Sequence, residues 1–358
     1  MKATLRTAPL RQAFALAASI VPTRPARPQL GCVLLDVDNH KMIATDLEQR
    51  IELTLGDIQG SGRAMIPAAK FRELLNVIHG DEIKLSESGG TLTVESARAK
   101  HRLSTQPPDE FPGAAELRSL CDLQIPAATL CAGIAATSYA CDVGSARWQL
   151  GAVALINIDD RLHFAATNGH RVAMLGTSLP YSRDAALIPV AMAKAMRKIF
   201  TDIPGDVKLS IGVNAVEVSG DGVTYRAQQV EGVFPNIARS LPSIHGLDRA
   251  DILAESLLDA VRSVAVTTAD ESRGIELFAS PGELRLESQT AEIGKSEASI
   301  PLAGQFANTT LDGRYFAEFL ASLQGGQAVE CYTQREGACE FRAGAIRYVQ
   351  MPMARGGQ

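Results

Sequence analysis

The sequence lacks the features of a membrane span and of a disulfide or zinc framework. No apolar run approaches the roughly 18 residues that a spanning helix needs. Six cysteines are scattered over 358 residues without a C-x-x-C pair, so we expect buried or half-buried free thiols in a reducing cytoplasm. The run Ala13 to Val21 follows Arg11 and allows two interpretations, a signal-peptide core or an amphipathic helix. We favour the helix because Leu10, Phe14 and Ala17 share one face.

Motifs for catalysis and phosphate binding are also missing. The string "IGKS" (293–296) lacks the first glycine of a phosphate loop, and neither H-E-x-x-H nor G-x-S-x-G occurs. His163 and His170 do not share a metal-ligand spacing with cysteine or carboxylate. The sequence therefore predicts no catalytic residue, no metal and no cofactor. One enzyme alternative stays open, in which His170 acts as a general acid–base with Asp159 or Asp160 as its partner.

An excess of positive charge is missing as well, since the formal net charge is −5 and the pI is near 5.8. Proteins that hold nucleic acid by charge alone are usually basic. If this chain binds DNA, its basic residues must be concentrated on one surface, or the grip must not depend mainly on charge. Lys194, Arg197 and Lys198 fall on the polar face of one predicted amphipathic helix.

What the sequence does contain is an internal repeat. "LGCVLLDVDNHKMIATD" from Leu30 matches "LGAVALINIDDRLHFAATN" from Leu150, and "MIPAAKFRELLNVI" matches "LIPVAMAKAMRKIF" further on. A third, weaker copy contains "GIELFASPGELRLESQ" (274–289) and "LDGRYFAEFLASL" (311–323). Ordered agreement over several segments indicates repeated structural units.

Each copy has the pattern helix, strands, helix, strands. The first helices are predicted at 8–20, 126–139 and 251–266, and the second at 67–79, 189–200 and 312–323. The fold class is therefore α+β, with three topologically similar domains at 1–120, 121–245 and 246–358.

Three stretches resemble the bacterial DNA sliding clamp, the β subunit of DNA polymerase III. They are "ATNGHRVAM", "VEGVFPNIARSLP" (230–242) and the C-terminal "YVQMPM" (348–353), and "TRPARPQLG" (23–31) and "ATDLE" (44–48) add to them. The resemblance covers essentially the whole chain. It implies a processivity factor without catalytic activity: a head-to-tail homodimeric ring whose helices line a hole for duplex DNA and whose sheets lie outside.

A ring of this kind also reconciles the acidic composition with DNA binding. A closed ring holds DNA by topology, so weak, sequence-independent phosphate contacts suffice, whereas direct phosphate binding falls steeply with salt. By the resemblance Arg24 matches a DNA-contacting loop position. Lys194, Arg197 and Lys198 are our candidates for the wall of the hole, on helix pattern alone.

The resemblance further implies a pocket between domains 2 and 3 for short peptides of polymerases, the clamp loader and repair proteins. Flexible, polarizable methionine suits a pocket with several clients. Carried over by motif, the lining residues are Leu150, Thr167, Gly169, His170, Arg171, Val172, Pro235, Arg239, Val349, Met351, Pro352 and Met353.

The dimer interface is expected where the last strand of domain 1, "HRLST" (101–105), meets domain 3. His101 and Leu103 lie on that strand, and Val266 and Thr267 on the facing segment. Edge-to-edge strand pairing would extend the sheet across the joint. The family usually has more apolar residues here, so we hypothesise a weaker dimer.

Two departures from the family pattern concern the pocket. Asn168 replaces the usual acid, and the tail "ARGGQ" (354–358) runs past the usual ending and either lies across the pocket or frays. These departures leave a specialised accessory clamp, serving a non-replicative polymerase or a mobile element, as an alternative to the main processivity clamp.

Overall fold

The structure is a computed structural model in which residues 1–269 and 273–353 are described. These residues form two compact units. The first consists of Met1–Ala128 and Ala195–Gln229, and the second of Thr129–Lys194 and the described residues from Val230 onward. The division of the chain into three domains stays a prediction.

Six α-helices occur within the described residues, and all six were predicted. They are α1 (Thr7–Ala18), α2 (Ala68–Val77), α3 (Ala127–Thr137), α4 (Val190–Phe200), α5 (Ala254–Ala265) and α6 (Gly313–Ala321). Five of them have an apolar and a polar face, whereas α3 is apolar over most of its length. In α1 the side chains of Leu10, Phe14 and Ala17 are buried, which confirms the amphipathic helix.

The strands are short and alternate with turns. They are β1 (Lys2–Arg6), β2 (Cys32–Asp36), β3 (Lys41–Thr45), β4 (Gln49–Thr54), β5 (Gln59–Ser61), β6 (Arg63–Pro67), β7 (Glu82–Ser88), β8 (Thr91–Glu95), β9 (Lys100–Ser104), β10 (Ser119–Pro126), β11 (Ala152–Ile158), β12 (Arg161–Thr167), β13 (Arg171–Pro180), β14 (Ala186–Pro189), β15 (Asp206–Gly212), β16 (Ala215–Gly220), β17 (Val223–Gln228), β18 (Asp248–Leu253), β19 (Gly274–Ser280), β20 (Glu283–Thr290), β21 (Gly294–Pro301), β22 (Ala303–Gly304), β23 (Thr309–Asp312), β24 (Ala328–Thr333), β25 (Cys339–Ala343) and β26 (Ile346–Gln350).

The first unit contains two antiparallel sheets. Five strands follow the order β5-β1-β7-β8-β9, and eight follow the order β10-β15-β16-β17-β4-β3-β2-β6. Helices α1 and α2 pack against each other through Phe14 and Phe71, whose ring centroids are 4.8 Å apart. Arg11 donates hydrogen bonds to the carbonyls of Leu75 and Ile78 at the end of α2, so its guanidinium satisfies helix-terminal acceptors.

The second unit also contains two antiparallel sheets. Nine strands follow the order β14-β11-β12-β13-β26-β25-β24-β18-β22, and four follow the order β21-β20-β19-β23. Its interior is aromatic: the rings of Phe319 and Tyr348 stack with centroids 4.4 Å apart, and those of Phe316 and Phe341 lie 4.6 Å apart. This cluster packs α6 onto β25 and β26, beside the strand that begins at Arg171.

The six cysteines are free thiols, five of them buried and Cys121 half-buried, as the sequence predicted. Within the described part of the chain, none of the helices is long and apolar enough to cross a membrane.

Candidate functional site: the polar turn at residues 167–171

The segment Thr167–Arg171, called here the polar turn, joins β12 to β13 and is held by its own side chains. The Thr167 hydroxyl donates to the carbonyl of Arg171 at 2.6 Å and accepts the Gly169 N–H at 3.1 Å. Asn168 Oδ1 accepts the N–H groups of His170 and Arg171 at 3.0 and 3.1 Å. Gly169 has φ +92°, a conformation that favours glycine. A neutral amide oxygen therefore holds the turn at the position where the resemblance implied an acid.

The first unit repeats this turn, bond for bond, between β3 and β4. The Thr45 hydroxyl donates to the Gln49 carbonyl and accepts the Leu47 N–H, while Asp46 Oδ1 accepts the N–H groups of Glu48 and Gln49. Leu47 takes the positive φ of 82°. Since the turn forms without histidine or arginine, His170 and Arg171 are not needed to build it.

The strand that follows each turn pairs in the same register with a later strand. Arg171 lies opposite Gln350 on β26, and Gln49 lies opposite Ala227 on β17. The next residue of the later strand then donates to the tip of the turn: Met351 N–H binds the His170 carbonyl at 2.9 Å. The two junctions are thus equivalent in backbone geometry.

The junctions differ in the side chains that face each other across the strand pair. In the second unit these are Val172 and Val349, which belong to a buried apolar cluster with Phe234 and Ile237. We call these four residues the apolar floor. Phe234 and Ile237 flank the exposed Pro235 in the chain, and a buried apolar floor with exposed methionine and proline suits the docking of apolar side chains.

In the first unit the corresponding pair is Arg50 and Arg226. Arg50 pairs with Glu52 at 2.8 Å and Arg226 with Glu217 at 2.6 Å. The same two guanidiniums donate to the carbonyls of Pro112 and Ala115. This junction is therefore charged and covered by the chain itself, so the apolar floor is a property of the second junction.

A second loop lies against the polar turn. An Arg147 guanidinium nitrogen is 3.4 Å from the position that a Cβ on Gly169 would occupy, and Gln149 packs equally closely on Gly232. Trp148, the single tryptophan of the chain, lies between Arg147 and Gln149 in the sequence and is 75% exposed. Sequence reasoning missed Arg147, Trp148, Phe234 and Ile237, although the stretch "VEGVFPNIARSLP" (230–242) contains the last two.

The predicted pocket residues fall into three groups by exposure. Leu150, Thr167, Arg171, Val172 and Val349 are buried, Pro352 and Met353 are half-buried, and Gly169, His170, Pro235, Arg239 and Met351 are exposed. Met353 donates its N–H to the Thr310 carbonyl at 2.8 Å, and its sulfur lies beside Gly274. The tail 354–358, which we considered as a cover for the pocket, lies outside the described residues.

Arg171 is turned into the interior. Its side chain is 4% exposed and pairs with Glu318 of α6 at 2.7 Å. The guanidinium lies 4.1 Å over the Tyr315 ring and 5.5 Å from the Tyr139 ring, and it donates to the carbonyls of both tyrosines. Burial raises the pKa of the Tyr139 hydroxyl, which keeps it neutral, so Glu318 supplies the charge that balances Arg171.

The acid–base pair required by the enzyme alternative is not formed. Asp159 and Asp160 lie in the turn that precedes β12, whereas His170 follows its far end. Seven residues of extended strand separate the two ends by about 20 Å. Among the residues with described positions, no group of histidine, cysteine and carboxylate side chains could hold a metal ion.

The residues predicted to face DNA are all exposed. Arg24 lies in the loop before β2, and Lys194, Arg197 and Lys198 lie on α4, which has no acidic residue. At the predicted dimer interface, β9 is an edge strand of the five-stranded sheet.

The other half of that interface is split in its exposure. Val266 is 73% exposed, whereas Thr267 is buried. The Thr267 hydroxyl is 2.6 Å from that of Ser288, so it bonds within its own unit.

Solved structures identify the class to which this fold belongs. The chain superposes on the sliding clamp (DNA polymerase III subunit beta) of Pseudomonas aeruginosa bound to griselimycin with a TM-score of 0.91 at 24% identity, covering 99% of both chains. The sliding clamp of Bartonella birtlesii bound to griselimycin gives 0.91 at 21% identity, again over 99% of both. The fold is that of the DNA sliding clamps.

Sequence comparisons lead to the family. Residues 1–115 match the family model of the DNA polymerase III beta subunit N-terminal domain, and residues 124–236 match that of its central domain. The beta sliding clamp of Haemophilus influenzae is 24% identical over 346 residues, which cover 93% of this chain and 94% of that protein. The chain belongs to the bacterial DNA polymerase III beta subunit family, the beta sliding clamps. Its function is therefore that of a non-catalytic processivity factor of DNA polymerase, as the resemblance implied.

Proposed function

We propose that two copies of this chain close head to tail into a ring of six domains around duplex DNA, in the cytoplasm, and tether DNA polymerase and other proteins to it. The observation that carries the proposal is the superposition of 99% of the chain on the P. aeruginosa clamp. Three parts of the molecule would do this work: a basic helix, an edge strand and the apolar floor.

Helix α4 supplies the DNA contacts in this proposal. Its three basic residues lie three and four positions apart, are exposed, and have no acid within the helix. Each phosphate neutralised by a lysine or arginine adds about 0.9 to the slope of log affinity against log salt. Replacing Lys194, Arg197 and Lys198 with alanine should lower that slope by up to about 2.7. Lys295→Ala, on the outer strand β21, is the control and should leave it unchanged.

The edge strand β9 carries the dimer contact, with His101 and Leu103, against the segment at Val266. Apolar Leu103 and exposed Val266 support an interface, but the Thr267 hydroxyl forms its hydrogen bond within its own unit. We expect a dimer that dissociates at nanomolar concentration and is abolished by Val266→Asp. Sedimentation velocity measures both, and a tight dimer at nanomolar concentration would contradict the weak interface.

The apolar floor and the polar turn form the partner-docking site. Val172 and Val349 lie beneath, exposed Met351 and Pro235 lie beside, and His170 stands at the tip of the turn. Griselimycin is bound in the P. aeruginosa and B. birtlesii clamps, and we take it as the probe for the proposed docking site. Titration into this protein should change the fluorescence of Trp148 and saturate at one molecule per chain. Absence of any binding by calorimetry would refute the docking site.

A further inference from the structure

The position of Arg171 sets a question about its role. By motif it belongs with the residues that line the docking site, yet its guanidinium is 4% exposed and lies against α6. A docked partner does not reach a guanidinium that is buried in this way and bonded to α6. The influence of Arg171 on docking must therefore pass through the elements that it joins.

The polar turn itself does not require this arginine. Gln49 stands at the equivalent position of the first unit, where the turn has the same four hydrogen bonds. The Gln49 side chain donates a hydrogen bond to Asp46, in the turn itself, and accepts one from the Tyr225 hydroxyl, on the paired strand β17. The arginine in the second unit thus serves something beyond the turn.

Its contacts show which elements it joins. The guanidinium pairs with Glu318, stacks 4.1 Å over Tyr315 and donates to the Tyr315 carbonyl, all on α6. It also donates to the carbonyl of Tyr139, in the 3₁₀ turn that follows α3. The backbone of the polar turn meanwhile accepts the Met351 N–H at His170. One side chain fixes the turn, α6 and the end of α3 relative to each other, next to the exposed methionine.

We infer that Arg171 is a positioning residue for partner docking: by locking the polar turn to α6 through Glu318 and Tyr315, it holds the turn where it meets a bound partner. Planar guanidinium makes the stack, the ion pair and both carbonyl bonds at once, which lysine does not reproduce. The inference rests on the proposed docking site. A positioning role differs from direct contact with the partner in one testable respect. If Arg171 acts by positioning the turn, removing the charge of Glu318 must lower the affinity as much as replacing Arg171 does.

The test is griselimycin affinity in Arg171→Lys, Glu318→Gln and the double variant, measured by calorimetry and by Trp148 fluorescence. We expect each single variant to weaken binding about ten-fold at a temperature where far-UV circular dichroism reports a folded chain. The double variant should be no weaker than the worse single one, because coupled partners are not additive. A merely structural role would lower the melting temperature and leave the affinity of the folded protein unchanged.

Arg285→Lys is the matched control. Arg285 also faces a ring, that of Phe278 at 5.3 Å, and pairs with Glu287 at 3.0 Å, but it is 43% exposed and lies in the four-stranded sheet. Its variant should bind as the parent does. Parental affinity in Glu318→Gln, with loss in Arg171→Lys, would overturn the inference in favour of direct contact. Parental affinity in both would overturn any role in docking. If the parent itself does not bind griselimycin, the docking site fails and the inference falls with it.

Discussion

Met351 offers the most direct way to weigh the docking site, because it is exposed and its backbone is tied down independently of its side chain. It is 50% exposed, and full burial of a methionine side chain stabilises by about 1.5–3 kcal/mol. Covering the exposed half with a partner is therefore worth about 1 kcal/mol. In Met351→Ala the affinity for griselimycin should fall about five-fold.

The stability of the same variant should change by a similar, small amount. The buried half of the side chain contributes about 1 kcal/mol to folding, and the N–H bond from Met351 to the His170 carbonyl is retained. Leu253→Ala is the control, since Leu253 is 53% exposed and lies on β18, four strands away from β13. Calorimetric titration and thermal melting should show a stability loss in both variants and an affinity loss in Met351→Ala alone. Equal affinities of the parent and Met351→Ala for griselimycin would refute the assignment of Met351 to the docking surface.

Three further outcomes follow from other contacts. Asn168→Ala removes the acceptor of two backbone N–H groups and should lower the free energy of unfolding in urea by about 1–3 kcal/mol. Asn168→Asp keeps the acceptor, so its free energy of unfolding should stay near that of the parent. Equal losses of stability in the two variants would contradict the bonding role of this side chain. Burial raises the pKa of the Cys141 thiol to about 12, so roughly one thiol in ten thousand is ionised at pH 8. A thiol-specific disulfide reagent should therefore label half-buried Cys121 in the native protein before it labels Cys141. Early labelling of Cys141 would contradict its burial. Hydrogen bonds, of which that from Ser210 is the strongest, lower the pKa of the Asp122 carboxyl to about 2. Its contribution to stability is therefore present above the unfolded pKa near 4 and is lost as the pH falls toward 2. The free energy of unfolding of Asp122→Asn should vary less with pH over that window than that of the parent, and the same pH dependence in both would contradict this role.

The helices and the repeat were within reach of the sequence because both depend on local pattern. Apolar residues at helical spacing, together with the internal repeat, placed all six helices to within three residues at either end. The match between Thr45-Asp46 and Thr167-Asn168 was visible as letters. It became a physical statement once the same hydroxyl and carboxamide or carboxylate bonds were found in both turns.

The docking site was harder to predict because it depends on which strands pair. Val172 and Arg50 occupy equivalent places, yet their partners Val349 and Arg226 come from distant parts of the sequence. Only that pairing makes one junction apolar and the other charged. Arg171 illustrates the same limit, since the motif placed it among the residues that line the pocket, while long-range contact with Glu318 buries it.

The central claim is that the protein is retained on DNA by topology. The decisive measurement is its retention on a nicked circular plasmid after loading by a bacterial clamp loader with ATP, followed by gel filtration before and after a single restriction cut. A ring that slides freely should stay with the circle at moderate salt and leave once the DNA is linear. Equal retention on the circular and linear forms would contradict the account, because it would indicate binding by surface contacts.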